Sequence, residues 1–295
     1  MNYKSGGGWC TWGSRLPRRL NSQAAVIVLL SYALGFALPI AGATMSLVAA
    51  HHGAHARPRT DTIATELVND AIPLALSLLA ATLGMRSAAR APLALRDTDL
   101  GLRRSAAISR TRAAATAPMY LATITTASIL GDALVHLFGV EKDAATAPTD
   151  RLAAALADNA WAGLLEEPIL LGLTLGLALR LRWRWQLVLP LVIVMRLAFH
   201  VYYGPFAAAL FVVPWMCGAY VLYRRCPLLW PFVLAHGTYD VLVTLSEGTP
   251  HAAAAAATVI QDTLASLGVL VAVYAVARRL STHGLGRGAP DPSPA

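Results

Sequence analysis

The chain has 295 residues, 56% of them hydrophobic and only 14% charged, with a net charge of +8 that is almost all arginine. Soluble globular domains carry about 25% charged residues, so this balance excludes disorder, a collagen or disulfide scaffold and a long coiled coil. It points to burial in a membrane, as does the mean hydropathy of +0.54. Cys10, Cys217 and Cys226 show no CxxC spacing and indicate neither a disulfide framework nor a thiolate metal site.

Residues 1–23 read as a cytoplasmic tail, with Gly6, Gly7 and Gly8 for flexibility and Trp9 and Trp12 as interfacial aromatics. Runs of about 20 apolar residues or more, the length a membrane helix needs, fall at 24–49, 65–85, 115–138, 152–179 and 257–277, and shorter ones at 187–203, 205–222 and 229–245. The first is too long for a signal-peptide core and reads as a retained helix. Tyr203-Gly204-Pro205 signals a tight turn between the fifth and sixth runs. No strand pattern is present. The chain therefore reads as an all-α polytopic membrane helix bundle with about eight transmembrane helices. Its organisation divides into N-terminal helices with a basic loop over 24–149, a second half over 150–280, and a Gly- and Pro-rich disordered tail over 281–295.

The arginines set an orientation. Arg15, Arg18 and Arg19 precede the first span; Arg86, Arg90, Arg96, Arg103, Arg104, Arg110 and Arg112 crowd the loop after the second. Arg180, Arg182 and Arg184 follow the fourth, Arg224 and Arg225 the sixth, and Arg278 and Arg279 the eighth. With eight spans all of these fall on one side, opposite Glu141, Asp143, Asp150 and Glu247. The positive-inside rule then puts both termini in the cytoplasm. Arginines spread over separate loops also argue against a nucleic-acid partner.

Ionisable groups inside a membrane helix cost about 2.5–3.5 kcal/mol each on insertion scales, so those that remain are functional candidates. Glu166-Glu167-Pro168 lies within the fourth span. Arg196 and His200 in the fifth, and His236 and Asp240 in the seventh, each stand one helical turn apart. Two glutamates, two histidines and an aspartate are what an acid/base hydrolase or a metal site needs. Elsewhere, His51, His52 and His55 read as a compositional cluster after the first span, Asp132 and His136 as residues near the outer end of the third. Gly172-xxx-Gly176 permits close packing of the fourth helix on a neighbour, and Ala252–Ala257 favours helix before the last span.

The three polar groups, quoted as Glu166-Glu167-Pro-Ile-Leu-Leu171, Arg196-Leu-Ala-Phe-His200 and His236-Gly-Thr-Tyr-Asp240, resemble the EExxxR, FxxxH and HxxxN/D motifs of the CAAX-processing and bacteriocin-processing intramembrane endopeptidases. The resemblance covers residues 150–245. It departs at Leu171, which stands for the motif arginine, and at Arg196, which stands for a phenylalanine; Arg196 is expected to hold the carboxylates in place of the missing arginine. The resemblance implies a peptidase in which Glu166 takes a proton from water, His200 orients that water, His236 stabilises the oxyanion and Asp240 completes the site. Glu167 is expected to pair with Arg196. A zinc form would use Glu166, His200 and His236 as ligands, but HExxH is absent, so spacing gives zinc no independent support; the cofactor expectation is none or Zn2+. The implied partners are a membrane-associated peptide or protein substrate and the lipid bilayer. Arg- and Ala-rich composition with almost no Lys points to a high-GC bacterial coding bias, and the expected location is then the bacterial plasma membrane. A transporter-like polar cavity and a non-catalytic protein on the same fold are the competing readings. Convergence of Glu166, His200 and His236 in one cavity discriminates the enzyme.

Overall fold

The computed structural model describes residues 18–52, 63–90, 92–139, 152–248 and 251–284. Each of the apolar runs forms helix, and among the described residues there is no strand. The order is α1 (Arg18–His51), α2 (Ile63–Ala89), α3 (Arg110–Leu137), α4 (Leu152–Glu167), a π-helical segment (Pro168–Leu175), α5 (Gly176–Arg180), α6 (Trp185–Ala198), a 3-10 turn (Val201–Tyr203), α7 (Pro205–Arg225), α8 (Trp230–Gly248) and α9 (His251–Gly284). Six apolar helical stretches among the described residues are long enough to cross a membrane, the continuous α4–π–α5 stretch among them, and Trp185–Ala198 is a shorter apolar helix. The bundle differs from a soluble protein in its apolar exterior. Leu30, Leu187, Leu234 and Leu270 are exposed, while Glu166, Glu167, Arg196 and His236 are buried. The buried core is itself mostly apolar, so an apolar exterior with a few charges held inside is the arrangement of a multi-pass membrane protein.

Hydroxyls within the spans are satisfied locally. Thr116, Thr123, Thr125, Thr126, Thr238 and Thr244 each donate to the carbonyl four residues back, which spares a helix an unpaired polar group in hydrocarbon. Prolines 39, 73, 118, 190 and 214 sit inside helices, tolerable where neighbours cover the freed carbonyls.

The α4–π–α5 stretch is the central element. Every residue from Glu166 to Ala178 is buried. The π turns begin at Pro168, which has no N–H to give, and the Thr174 hydroxyl donates to the Ile169 carbonyl at 2.8 Å, five residues back. Such widened turns re-aim side chains and recur at functional sites; here the widening starts immediately after the glutamate pair. α1 and α2 pack on this segment, α3 on α7 and α8, and α4 on α8.

The α4–α8 crossing is the contact that builds the site. A Cβ on Gly163 would collide with the Val233 carbonyl, and one on Gly237 would stand 2.5 Å from the Ala160 carbonyl. The two backbones approach that closely because neither helix carries a side chain there. The consequence is local: Gly163 lies one turn before Glu166 and Glu167, and Gly237 follows His236. Gly237→Val is expected to force the helices apart and to lower stability by about 1–3 kcal/mol, the usual cost of overpacking. Thermal unfolding of the purified protein checks this; an unchanged melting temperature would contradict the close crossing.

Several boundaries differ from the sequence expectation. The N-terminal tail expected through residue 23 is helical from Arg18, because Leu20 packs on the core and Asn21 accepts a hydrogen bond from Trp183 Nε1 at 3.0 Å; residues 1–17 lie outside the described residues. α9 runs to Gly284, past the expected start of the disordered tail at 281, because no Gly or Pro interrupts it earlier after Gly268. Residues 285–295, His55 and the 140–151 stretch lie outside the described residues. His51 closes α1 rather than sitting in a loop. The fifth apolar run does not continue as helix to residue 203. α6 ends at Ala198, the 3-10 turn follows, and Gly204 with φ of 84° turns the chain into Pro205.

Gly172 and Gly176 do serve close packing, Gly172 against Met85 of α2 and Gly176 against the loop that follows α2. A Cβ on Gly176 would stand 2.9 Å from the Asp99 carbonyl, and one on Gly172 3.0 Å from Met85 Cε and 3.5 Å from the Leu100 carbonyl. The arginine-rich connection after α2 tucks back into the bundle, burying Leu93, Leu95, Leu100 and Ile108. Arg96 and Arg180 both reach Asp99, and Arg103 reaches Asp97.

Candidate active site

Glu167 is the most enclosed member of the polar cluster, with no exposed surface. Its Oε1 accepts from Arg196 Nη2 at 2.9 Å and from the Tyr120 hydroxyl at 3.0 Å, and lies 2.8 Å from His236 Nδ1. Tyr120 in turn accepts from Trp215 Nε1 at 2.9 Å. Four helices (α3, α4, α6 and α8) therefore meet on one carboxylate oxygen, with α7 behind them. Such a residue holds an arrangement in place.

Glu166 is placed differently. It is one residue earlier, so it points about 100° around the helix. Its Oε2 lies 3.3 Å from Arg196 Nη1 and 3.9 Å from His236 Nε2. Both are ion-pair distances without hydrogen-bond alignment. Glu166 Oε2, Glu167 Oε2, Arg196 Nε and Arg196 Nη1 are buried without a hydrogen-bond partner among the described residues. The side chain of Glu166 retains 11% exposure and that of Asp240 20%, so these two form the accessible edge of the cluster.

Arg196 is fully buried, spans both glutamates and lies under the Trp215 ring, 3.9 Å from its centroid. An unpaired charge in this position would be very costly; two carboxylates and an aromatic face offset the loss of water. His236 links the remaining groups. Nδ1 faces Glu167, Nε2 lies 3.3 Å from Asp240 Oδ2 one turn along α8, and the Trp215 ring meets the imidazole edge-on at 5.0 Å between centroids.

His200 does not join this network directly. Among the described residues it makes no ion pair with a carboxylate. Because α6 has ended at Ala198, His200 is not one helical turn above Arg196; its Nδ1 instead lies 2.9 Å from the Arg196 carbonyl oxygen. That oxygen accepts only, so Nδ1 carries the proton and caps one of the carbonyls a helix end leaves free. The ring is boxed by Phe199, Phe211 and Trp215 at centroid distances of 4.6, 5.5 and 6.1 Å. His200 thus fixes the carbonyl of the residue whose guanidinium holds both glutamates, with Nε2 as its remaining acceptor.

The sequence-derived set thus separates. Glu166, Glu167, Arg196, His236 and Asp240 come together, so Glu166 and His236 converge as expected; His200 stands beside them through Arg196, and the expected three-way convergence is met only in part. Leu171 is fully buried in the π segment among apolar neighbours. Asp132 is half-buried and His136 exposed towards the end of α3, His51 and His52 exposed at the end of α1. Tyr120 and Trp215 belong to the cluster and were not anticipated. Their signal was a polar handle on an aromatic in mid-span, where such residues usually need a partner.

The residues as arranged do not fit a zinc ion. The donors Glu166 and His236 already face the Arg196 guanidinium and other carboxylates, a cation beside that guanidinium is repelled, and His200 Nδ1 is spent on a carbonyl. Among the described residues no three His, Cys, Asp or Glu side chains form a metal-holding group. Cys217 and Cys226 are free thiols. The chain matches no protein-family model, no curated protein and no solved structure.

Proposed function

We propose that this protein is an intramembrane endopeptidase, similar to the CAAX-processing and bacteriocin-processing family, that hydrolyses peptide bonds of membrane-associated peptides or protein C-termini. The observation that carries the reading is the meeting of Glu166, Glu167, Arg196, His236 and Asp240 from three helices at one buried point. An isolated structural ion pair needs one acid and one base. Here three carboxylates face one arginine and one imidazole, and several buried polar atoms keep hydrogen-bonding capacity to spare. A water and a substrate carbonyl are the partners that would use it.

In this reading Glu166 is the general base. It is the glutamate on the accessible edge, and its carboxylate is not locked by aligned hydrogen bonds. Water gives a proton to Glu166 as its oxygen attacks the scissile carbonyl carbon. The negative charge that develops on the carbonyl oxygen is met by N–H groups beside Glu166, on Arg196 Nη1 and His236 Nε2. Collapse of the tetrahedral intermediate passes the proton to the leaving amine. Glu167 positions Arg196 and His236, and Asp240 orients His236. His200 positions Arg196 through its carbonyl and presents Nε2 as a water acceptor. No step requires a metal ion.

The experiment is a cleavage assay on protein reconstituted in liposomes, with a panel of synthetic single-span membrane peptides and mass-spectrometric detection of products. Wild type is expected to cut at least one sequence, and Glu166→Gln to leave it intact. Equal cleavage by both would remove the reading, while accumulation of an intact solute inside the liposomes would favour the transporter reading.

The same proposal places the protein in a bacterial plasma membrane with both termini cytoplasmic, on the strength of the arginine distribution. A cysteine introduced at Arg103 is expected to be labelled only from the cytoplasmic side by a membrane-impermeant maleimide, and one at Asp143 only from outside. The reverse pattern would contradict this orientation.

A further inference from the structure

A second polar site lies at the arginine-bearing end of the bundle. α3 begins at Arg110 and α7 ends at Arg225, and the two helices pack side by side. Between them opens a cavity of about 550 Å³, lined among others by Arg112, Thr116, Met119, Leu222, Arg224 and Arg225. Some of the other arginines at this end are paired: Arg96 and Arg180 share Asp99, and Arg103 meets Asp97. Arg112, Arg224 and Arg225 have no carboxylate partner among the described residues, and none lines the cavity. Three like charges facing one space repel one another, so the space selects an anion. Arg224 is steadied by the Tyr220 ring, 5.6 Å from its guanidinium carbon.

The position narrows the anion. The charges sit on the last turn of one membrane helix and the first of its neighbour, at the depth of lipid headgroups. The remaining lining, Met119 and Leu222, continues along the spans into the apolar layer. A free anion uses only the charged half of such a site, whereas a phospholipid uses both. The geometry points to a binding site for the phosphate-bearing headgroup of an anionic phospholipid. The Arg112, Arg224 and Arg225 guanidiniums fork onto the phosphate oxygens and an acyl chain lies along Met119 and Leu222. This site is separate from the glutamate cluster and does not depend on the peptidase reading.

Purified protein in neutral detergent is titrated with short-chain phosphatidylglycerol, matched phosphatidylcholine and inorganic phosphate, and bound ligand is counted by native mass spectrometry. Phosphatidylglycerol is expected to bind at least tenfold more tightly than phosphatidylcholine, and inorganic phosphate not to compete at matched concentration. At about fivefold per arginine, Arg224→Gln/Arg225→Gln is expected to weaken phosphatidylglycerol about 25-fold. Arg90→Gln, an exposed arginine at the same end, is expected to change it less than twofold. Equal loss in Arg90→Gln would show diffuse surface attraction and overturn the site. Competition by phosphate alone would overturn the lipid assignment in favour of a free anion. Arg224→Lys/Arg225→Lys keeps the charge and serves where the glutamine pair fails to fold. It is expected to weaken phosphatidylglycerol about threefold by losing the planar forks, and unchanged affinity would overturn the fork contacts.

Discussion

Glu166→Gln is expected to lower the cleavage rate by about 10²–10⁴-fold, the usual worth of a general base, with the protein still folded. The substitution keeps shape and volume and removes only the proton acceptor. Glu166 Oε2 accepts no aligned hydrogen bond and is close to Arg196 and His236 only at 3.3 and 3.9 Å, so the scaffold does not rest on its charge. Glu167→Gln separates the two roles. Glu167 Oε1 is the point on which Tyr120, Arg196 and His236 converge, and its neutralisation should reduce stability as well as rate. His236→Ala should resemble Glu166→Gln in rate, and the double variant should be no slower than the worse single, because the two act on one transition state. Measured rates and melting temperatures for the three singles and the double decide this; a rate loss in Glu166→Gln that tracks unfolding would contradict the assignment.

Arg196→Met is expected to destabilise the fold by about 3–5 kcal/mol, the cost of stripping the partner from a buried ion pair. The methionine fills most of the volume, so the loss is electrostatic: Glu166 and Glu167 are left adjacent with one imidazole between them. The Trp215 ring also loses the cation at 3.9 Å. Adding a charge should hurt as well. Leu171 stands where the resembling family carries its arginine, but it is fully buried among apolar side chains. Leu171→Arg is therefore expected to misfold, because Arg196 already serves the carboxylates and the new guanidinium has no acid to meet. Urea unfolding in mild detergent measures both. A stable Arg196→Met, or an active and stable Leu171→Arg, would show that the charge has been assigned to the wrong arginine.

Hydropathy made the helices legible, because a span must be both long and apolar whatever it packs against. The cost of burying charge made Glu166, Glu167, Arg196, His236 and Asp240 legible for the same reason. What was hidden depended on neighbours. The end of α6 at Ala198 carries no Gly or Pro in Phe199-His200-Val201, and only the bond from His200 to the Arg196 carbonyl reveals the cap. Nothing in Pro168–Leu175 marks it as eight residues of π-helix, a segment on which α1 and α2 pack. Tyr120 and Trp215 look like core aromatics in sequence, since their hydroxyl and indole N–H matter only once Glu167 is beside them. The loop after α2 reads as basic and cytoplasmic from its arginines, while Leu95 is buried and Leu100 lies against Gly172 and Gly176.

The most direct measurement is cleavage in water enriched with oxygen-18. Reconstituted wild type is incubated with the membrane-peptide panel, and each new C-terminus is weighed. A cluster that activates water gives products whose new carboxylate carries one heavy oxygen, with no product from Glu166→Gln in the same time. Intact peptides throughout, or labelled products in equal yield from Glu166→Gln, would contradict the assignment of these residues to peptide hydrolysis.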